Sequence, residues 1–248
     1  MTTGEYPLPE PVPKPSIEAG AELPSDDWLA ARLRGFGPLG ITAILVISLS
    51  GTVIVGNMIA VPVSAVLVLV WVRLSRTPWP EIGYARPKSW AATLVGGVVF
   101  GVAFKFLMKA IVMPLLGADP INQAYHFLAG NRAILPAAVW AMINAGFAEE
   151  TVVRGYFFER LGKLFGSGVG AKISIVLLTS ALFGYGHYAV QGLPGVEQAT
   201  MVGLVFGTIF AVTGRIWMLM CAHAAFDLTA LAMIYWNLES RVAHLIFK

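Results

Sequence analysis

A single cysteine, Cys221, excludes an intramolecular disulfide, and no Cys/His spacing of the zinc-finger or zinc-ribbon kind accompanies it. Charge is scarce as well. Asp, Glu, Lys and Arg make up only 12% of the chain against 57% hydrophobic residues, and the mean hydropathy is +0.72, a composition that excludes an ordinary soluble domain. No basic cluster interleaved with aromatics accompanies the net charge of +3, so nucleic acid is not an expected partner. The first residues, up to about Asp27, hold no apolar run that could form the core of a signal peptide. No His-Glu-x-x-His helix pre-arranges two metal ligands.

What the chain has is hydrocarbon in long runs, which predicts an all-α, polytopic transmembrane helix bundle. Residues 1–30 read as a disordered cytosolic tail, rich in proline (Pro7, Pro9, Pro11, Pro13, Pro15 and Pro24). The apolar run from Pro38 to Val72 is too long for one crossing of a ~30 Å layer. Gly56, Asn57 and Pro62 divide it into a short hairpin, about Leu39 to Ile54 and Met58 to Val72. Further spans are expected at about Trp90 to Met113, Val139 to Arg160, Ile173 to Val190, Thr200 to Val212 and Ile216 to Trp236. The sixth of these is expected to begin before its strongest apolar stretch. The bundle, about seven spans, covers residues 38–236 and leaves a short C-terminal tail, 237–248.

Positive charge in short loops sets orientation. With a cytosolic N-terminus the inner segments carry Arg73, Arg76, Arg86, Lys88, Lys163, Lys172 and Arg215, while the outer ones carry only Arg132, Arg241 and Lys248. The expectation is therefore an integral protein of a bacterial plasma membrane, N-terminus inside and C-terminus outside. Lys105 and Lys109 lie one turn apart near the outer end of the third span, where they are expected to snorkel.

A few ionisable groups interrupt the apolar background: Glu149, Glu150 and Arg154, then His187, then His223 and Asp227. Each ionised side chain at mid-membrane costs roughly 2.5 to 3.5 kcal/mol on insertion scales. Such groups are expected to face one another or a wet cavity and to mark a proton path, an ion path or a catalytic site. Glu150 and Arg154 stand at i and i+4, on one helix face, while Glu149 points about 100° away. The two acids can thus do two jobs, Glu150 paired with Arg154 and Glu149 free to act as a general base. Counted along the helices, Glu149, His187, His223 and Asp227 lie roughly 17, 21, 11 and 17 Å into the layer. Three helices could therefore bring them together. His126 and His244 fall in outer segments and read as solvated.

The ordered set of Glu149, Glu150 and Arg154, then Phe183 and His187, then His223 and Asp227, resembles the signature of the CPBP family of intramembrane proteases. This is also called the Abi or type II CAAX prenyl endopeptidase family. Its pattern is Glu-Glu-x-x-x-Arg, Phe-x-x-x-His and His-x-x-x-Asn or Asp on successive spans. Phe147-Ala148, Gly155-Tyr156 and the segment Glu81 to Pro87 are similar in context, and the motif core covers about residues 135–235.

The resemblance implies hydrolysis of a peptide bond in a membrane-associated peptide or protein, lipidated ones included, within or beside the lipid bilayer. On that basis Glu149, helped by His187, activates water, and His223 with Asp227 stabilises the oxyanion. Glu150, Arg154 and Phe183 support them. Asp227 departs from the Asn of the best-studied members, and an ionised carboxylate only accepts hydrogen bonds. Its expected role is therefore to orient and charge His223, which then donates alone. The favoured mechanism uses glutamate and no cofactor. The alternative is a Zn2+ metalloprotease with ligands drawn from Glu149, Glu150, His187 and His223. Two other classes fit the same residues: a proton- or ion-coupled transporter, and a non-catalytic scaffold such as a bacteriocin-immunity protein.

Overall fold

The computed structural model describes residues 25–53 and 57–247, all in helices, turns and loops with no strand among them. The expected tail up to residue 24 and Gly56 of the expected turn lie outside the described residues. The helices are α1 (Ser25–Arg34), α2 (Pro38–Val53), α3 (Asn57–Leu74), α4 (Trp90–Leu107) and a single turn, α5 (Met113–Leu115). There follow α6 (Leu135–Glu150), α7 (Phe158–Phe165), α8 (Val169–Gly186), α9 (Tyr188–Thr213), α10 (Trp217–Tyr235) and α11 (Glu239–Ala243). Two π-helical turns splice longer rods together: Met108–Val112 joins α4 to α5, and Thr151–Phe157 joins α6 to α7. Ser89 starts α4 by accepting the Ala92 N–H at 3.2 Å.

Among the described residues, four helical rods are long and apolar enough to cross a membrane: Trp90–Leu115, Val169–Gly186, Tyr188–Thr213 and Trp217–Tyr235. Trp28–Arg34 and Pro38–Ser50, bent by 59° at their junction, make a fifth if taken as one span. The seven expected crossings are not confirmed. In the first hairpin the apolar helix Val61–Leu74 falls short of a full span among the described residues. The expected span from Val139 to Arg160 carries Glu149, Glu150, Arg154, Glu159 and Arg160 and is interrupted by a π turn. Pro62, expected in a turn, lies inside α3. Helix α1 begins at Ser25, within the stretch expected to be tail, and α9 begins at Tyr188, well before its most apolar stretch.

Helix α10 is the centre of the bundle because small residues on both flanks admit it. On one side a Cβ on Gly101 of α4 would stand 2.1 Å from the Ala222 carbonyl oxygen, and on the other a Cβ on Gly146 of α6 would stand 2.5 Å from the Ala224 nitrogen. Neither position has room for a side chain. Helices α8 and α9 form an antiparallel hairpin, with Gly184 facing Thr200 and Gly203 facing Ser180. Phe206 of α9 docks that hairpin on the core through Phe100 and Phe104, whose ring centroids lie 5.9 and 6.0 Å away.

The segment between α3 and α4 closes one end of the bundle. The Gly83 carbonyl accepts the Ile216 N–H at 3.1 Å, and the Tyr84 hydroxyl pairs with Thr151 Oγ1 at 2.8 Å. Burial pushes the Tyr84 phenol above its ordinary pKa, with the Thr151 hydrogen bond opposing. At the opposite end α11 holds the loop before α6: Glu239 Oε1 accepts from Lys109 Nζ and from the Asn122 N–H, both at 3.1 Å. The snorkelling expected of Lys105 and Lys109 therefore does not occur. Both are buried, at 6% and 8% exposure. Lys105 donates to Gln198 Oε1 at 2.8 Å and lies over the Phe226 ring. Polar partners on other helices, rather than the distance to the surface, decide where these ammonium groups rest.

Candidate active site

The close approach of α6 to α10 at Gly146 sets the site, since Glu149 and Glu150 follow within a turn of it and His223 adjoins Ala224. Glu150 is wholly buried, and its Oε1 accepts from Arg154 at 2.9 Å and contacts His223 Nδ1 at 2.8 Å. A carboxylate only accepts, so Nδ1 carries the proton. The i, i+4 pairing expected for Glu150 and Arg154 is present, and it runs from the last residue of α6 into the π turn, a feature concentrated at functional sites. The Arg154 guanidinium is 1% exposed and lies between two rings, 4.9 Å from the Phe183 centroid and 5.7 Å from that of Phe206. Both rings also meet the His223 imidazole edge to face.

Fixing Nδ1 on Glu150 turns the other imidazole nitrogen outward. His223 Nε2 lies 3.6 Å from Glu149 Oε2 and 3.7 Å from Asp227 Oδ2. The side chains of Glu149 and Asp227 retain 18% and 22% exposure, against 0% for Glu150. The two adjacent acids are thus separated as the helix geometry expects, one sealed in and one accessible. Of Glu150 and Asp227, which flank His223, Glu150 makes the shorter contact, at Nδ1, and Asp227 the longer, at Nε2.

His187 does not sit inside a span, as expected, but caps α8. Glycines at 184 and 186 disfavour further helix there, and the chain turns into α9, where Gly192 takes φ 61°. His187 Nδ1 lies 2.8 Å from the Phe183 carbonyl oxygen, to which it must donate, so in the neutral imidazole Nε2 carries the lone pair. Its ring packs edge to face on Phe183 at 4.8 Å and is close enough to Asp227 to feel its charge. Between His187 and Glu149 there is no direct hydrogen bond. The structure therefore gathers Glu149, Glu150, Arg154, Phe183, His223 and Asp227 directly, with His187 beside them across Phe183.

One neighbour was not legible in the motifs: Phe206, whose ring centroid lies 5.8 Å from that of His223, because one more aromatic residue on an apolar span carries no spacing signal. His126 and His244 are exposed, away from the cluster.

Among the described residues no group of three or more His, Cys, Asp or Glu side chains is arranged to hold a metal ion. The alternative set of Glu149, Glu150, His187 and His223 does not fit one. Glu150 Oε1 is occupied by Arg154 and His223, and His187 Nδ1 is engaged by the Phe183 carbonyl.

Residues 131–229 match the family model for type II CAAX prenyl endopeptidase, Rce1-like, which is the family that the ordered motifs resemble. The match spans all three motif elements. No curated protein and no solved structure matches the chain. That match is a likeness to a protease family over part of the chain, and the apolar helices are those of an integral membrane protein.

Proposed function

We propose that this protein is an intramembrane endopeptidase that hydrolyses a peptide bond in a membrane-associated, lipid-anchored peptide or protein, with Glu149 as the base. The observation that carries this reading is the contrast between two adjacent acids. Glu150 is sealed against Arg154 and His223, while Glu149 is accessible and faces the outward nitrogen of the same imidazole. A buried ion pair orients the histidine, and an accessible carboxylate beside it is available to take a proton.

In this mechanism Glu149 takes one proton from water as the oxygen attacks the scissile carbonyl carbon. The carbonyl π pair moves onto oxygen, and the N–H at His223 Nε2 donates to that oxyanion. Asp227 holds the imidazole from its other side, and Glu149 returns the proton to the leaving nitrogen as the C–N bond breaks. His187, with its free Nε2 lone pair, assists Glu149 through water. No metal enters the scheme: one of the two acids, Glu150, already gives its Oε1 to Arg154 and His223.

The test uses full-length protein in phosphatidylcholine vesicles with a library of quenched-fluorescent peptides, lipid-anchored and free. The lipid-anchored peptides are expected to be cut, the activity to survive exhaustive chelation, and Glu149→Gln to abolish it. Absence of cleavage from both pools, with the protein folded, overturns the reading. Loss on chelation with rescue by zinc overturns the metal-free mechanism.

A further inference from the structure

Helices α4 and α6 both pack on α10, and beside their common partner they leave a slot of about 310 Å3, within the size range of ligand pockets. It is lined by Trp90 and Leu94 of α4, Phe147 of α6, and Trp217 and Cys221 of α10. Thr93 brings the one hydroxyl of the lining and donates it to the Ser89 carbonyl at 2.8 Å. The slot therefore offers an occupant no charged side chain and no uncommitted hydroxyl.

This space is not part of the hydrolytic site. Phe147 and Cys221 precede Glu149 and His223 by two positions each, and two residues turn a helix through about 200°. Slot and site thus lie on opposite sides of α6 and α10, so the occupant is not the scissile peptide.

One end of the slot is rimmed by aromatic rings and positive charge. Helices α4 and α10 both begin there, and their first residues, Trp90 and Trp217, meet edge to face with ring centroids 5.2 Å apart. Tyr84 adds a third ring, 4.9 Å from Trp217, and Trp79 a fourth, 5.7 Å from Tyr84. Such a row of Trp and Tyr marks headgroup depth. Lys88 stands two residues before Trp90, Arg215 two before Trp217 and Arg86 two after Tyr84, all three exposed. The hydrogen bond from the Ile216 N–H to the Gly83 carbonyl, 3.1 Å, ties their two segments into one rim. Among the described residues none of these cations has an anionic partner, whereas Lys163 at the same end is paired with Glu81 at 2.9 Å. From the tryptophans the slot runs one helical turn inward, about 6 Å, to Leu94 and Cys221.

Cations at headgroup depth above a slot of hydrocarbon complement an amphiphile with a negative head. We propose that the slot is a binding site for an anionic phospholipid. One acyl chain lies against Leu94, Phe147 and Cys221, and the phosphate rests among Arg86, Lys88 and Arg215. A zwitterionic lipid carries its own cation beside the phosphate and matches that rim less well.

The experiment uses the full chain in phosphatidylcholine vesicles containing a phosphatidylglycerol probe with a diazirine in its acyl chain, and maps the photo-crosslinked residues by mass spectrometry. Labelling is expected at Leu94, Phe147 and Cys221, at least about tenfold above that from a phosphatidylcholine probe with the same diazirine. Lys88→Gln combined with Arg215→Gln is expected to lower that preference about tenfold. Lys172→Gln, at an exposed cation of α8, is expected to leave it unchanged. Leu94→Trp, which fills the slot, is expected to abolish labelling at Phe147 and Cys221. Equal yields from the two probes, or labelling spread evenly over the outward faces of α8 and α9, overturn the proposal and leave ordinary boundary lipid. So does a preference that survives the double substitution. Cleavage is not the readout, so the outcome is independent of the hydrolase reading.

Discussion

The Arg154 guanidinium rests on the face of the Phe183 ring, 4.9 Å from its centroid. This contact links two motif elements that are separate in the sequence. The same phenyl ring meets His187 and His223 at its edges, and the Phe183 carbonyl fixes the His187 tautomer. The aromatic residue four positions before the histidine is thus the packing surface on which the arginine and both imidazoles are arranged.

Removing Arg154 leaves Glu150 buried and without its cation. Arg154→Leu is expected to destabilise the protein by about 3–5 kcal/mol, whereas the double substitution with Glu150→Gln is expected to recover most of that loss. Thermal unfolding in detergent across the four proteins of this double-mutant cycle checks it. A double variant that loses the sum of the two single losses would show that the pair is not coupled.

The neighbouring acids separate stability from activity. Glu149→Gln is expected to unfold at nearly the wild-type temperature and to lack turnover, because this side chain is accessible and carries no buried ion pair. Glu150→Gln removes the anion between Arg154 and His223 and is expected to cost about 3–5 kcal/mol. Paired unfolding and cleavage measurements distinguish the two. The reverse pattern would exchange the roles assigned here.

Gly146 lets α6 approach α10 where the acids meet His223. In Gly146→Ala the new methyl carbon would stand 2.5 Å from a backbone nitrogen of α10, which cannot move as a side-chain tip can. The expected cost is about 1–3 kcal/mol, with a loss of turnover larger than the stability change accounts for, since the Glu150 to His223 contact is displaced. Gly96→Ala, at a position with open space around it, is the matched control and is expected to be silent.

Alkali reports on the closed end of the bundle. The Tyr84 phenol, raised mainly by burial, stays neutral in the folded protein at a pH where an unfolded tyrosine ionises, near 10. Its contribution is complete below that value. As the pH climbs further the unfolded chain loses the proton more readily, so stability falls with increasing pH. Tyr84→Phe is expected to flatten this alkaline limb in a series of unfolding temperatures. An unchanged limb would show that Tyr84 is not its source.

The constellation was legible in the sequence wherever helical spacing alone decides proximity. Glu150 and Arg154 pair because four residues make about one turn, and Glu149 diverges from Glu150 by the same periodicity. Contacts between helices were not legible in that way. The depths counted for His187 and His223 assumed unbroken rods, whereas His187 caps a helix at the tip of a hairpin. Lys105 and Lys109 looked close enough to the surface to escape, because nothing in their own helix reveals that Gln198 and Glu239 face them. Neither hydropathy nor residue spacing reports a π turn, so the expected span from Val139 to Arg160 read as one plain rod.

Glu239 secures two things at once, the ammonium of Lys109 and the loop before α6. Trimming the chain ahead of α11 would strand a bare cation in hydrocarbon and unmoor that loop. Affinity handles for this protein therefore belong at its front end, and an assay on a tail-clipped preparation would report a damaged enzyme.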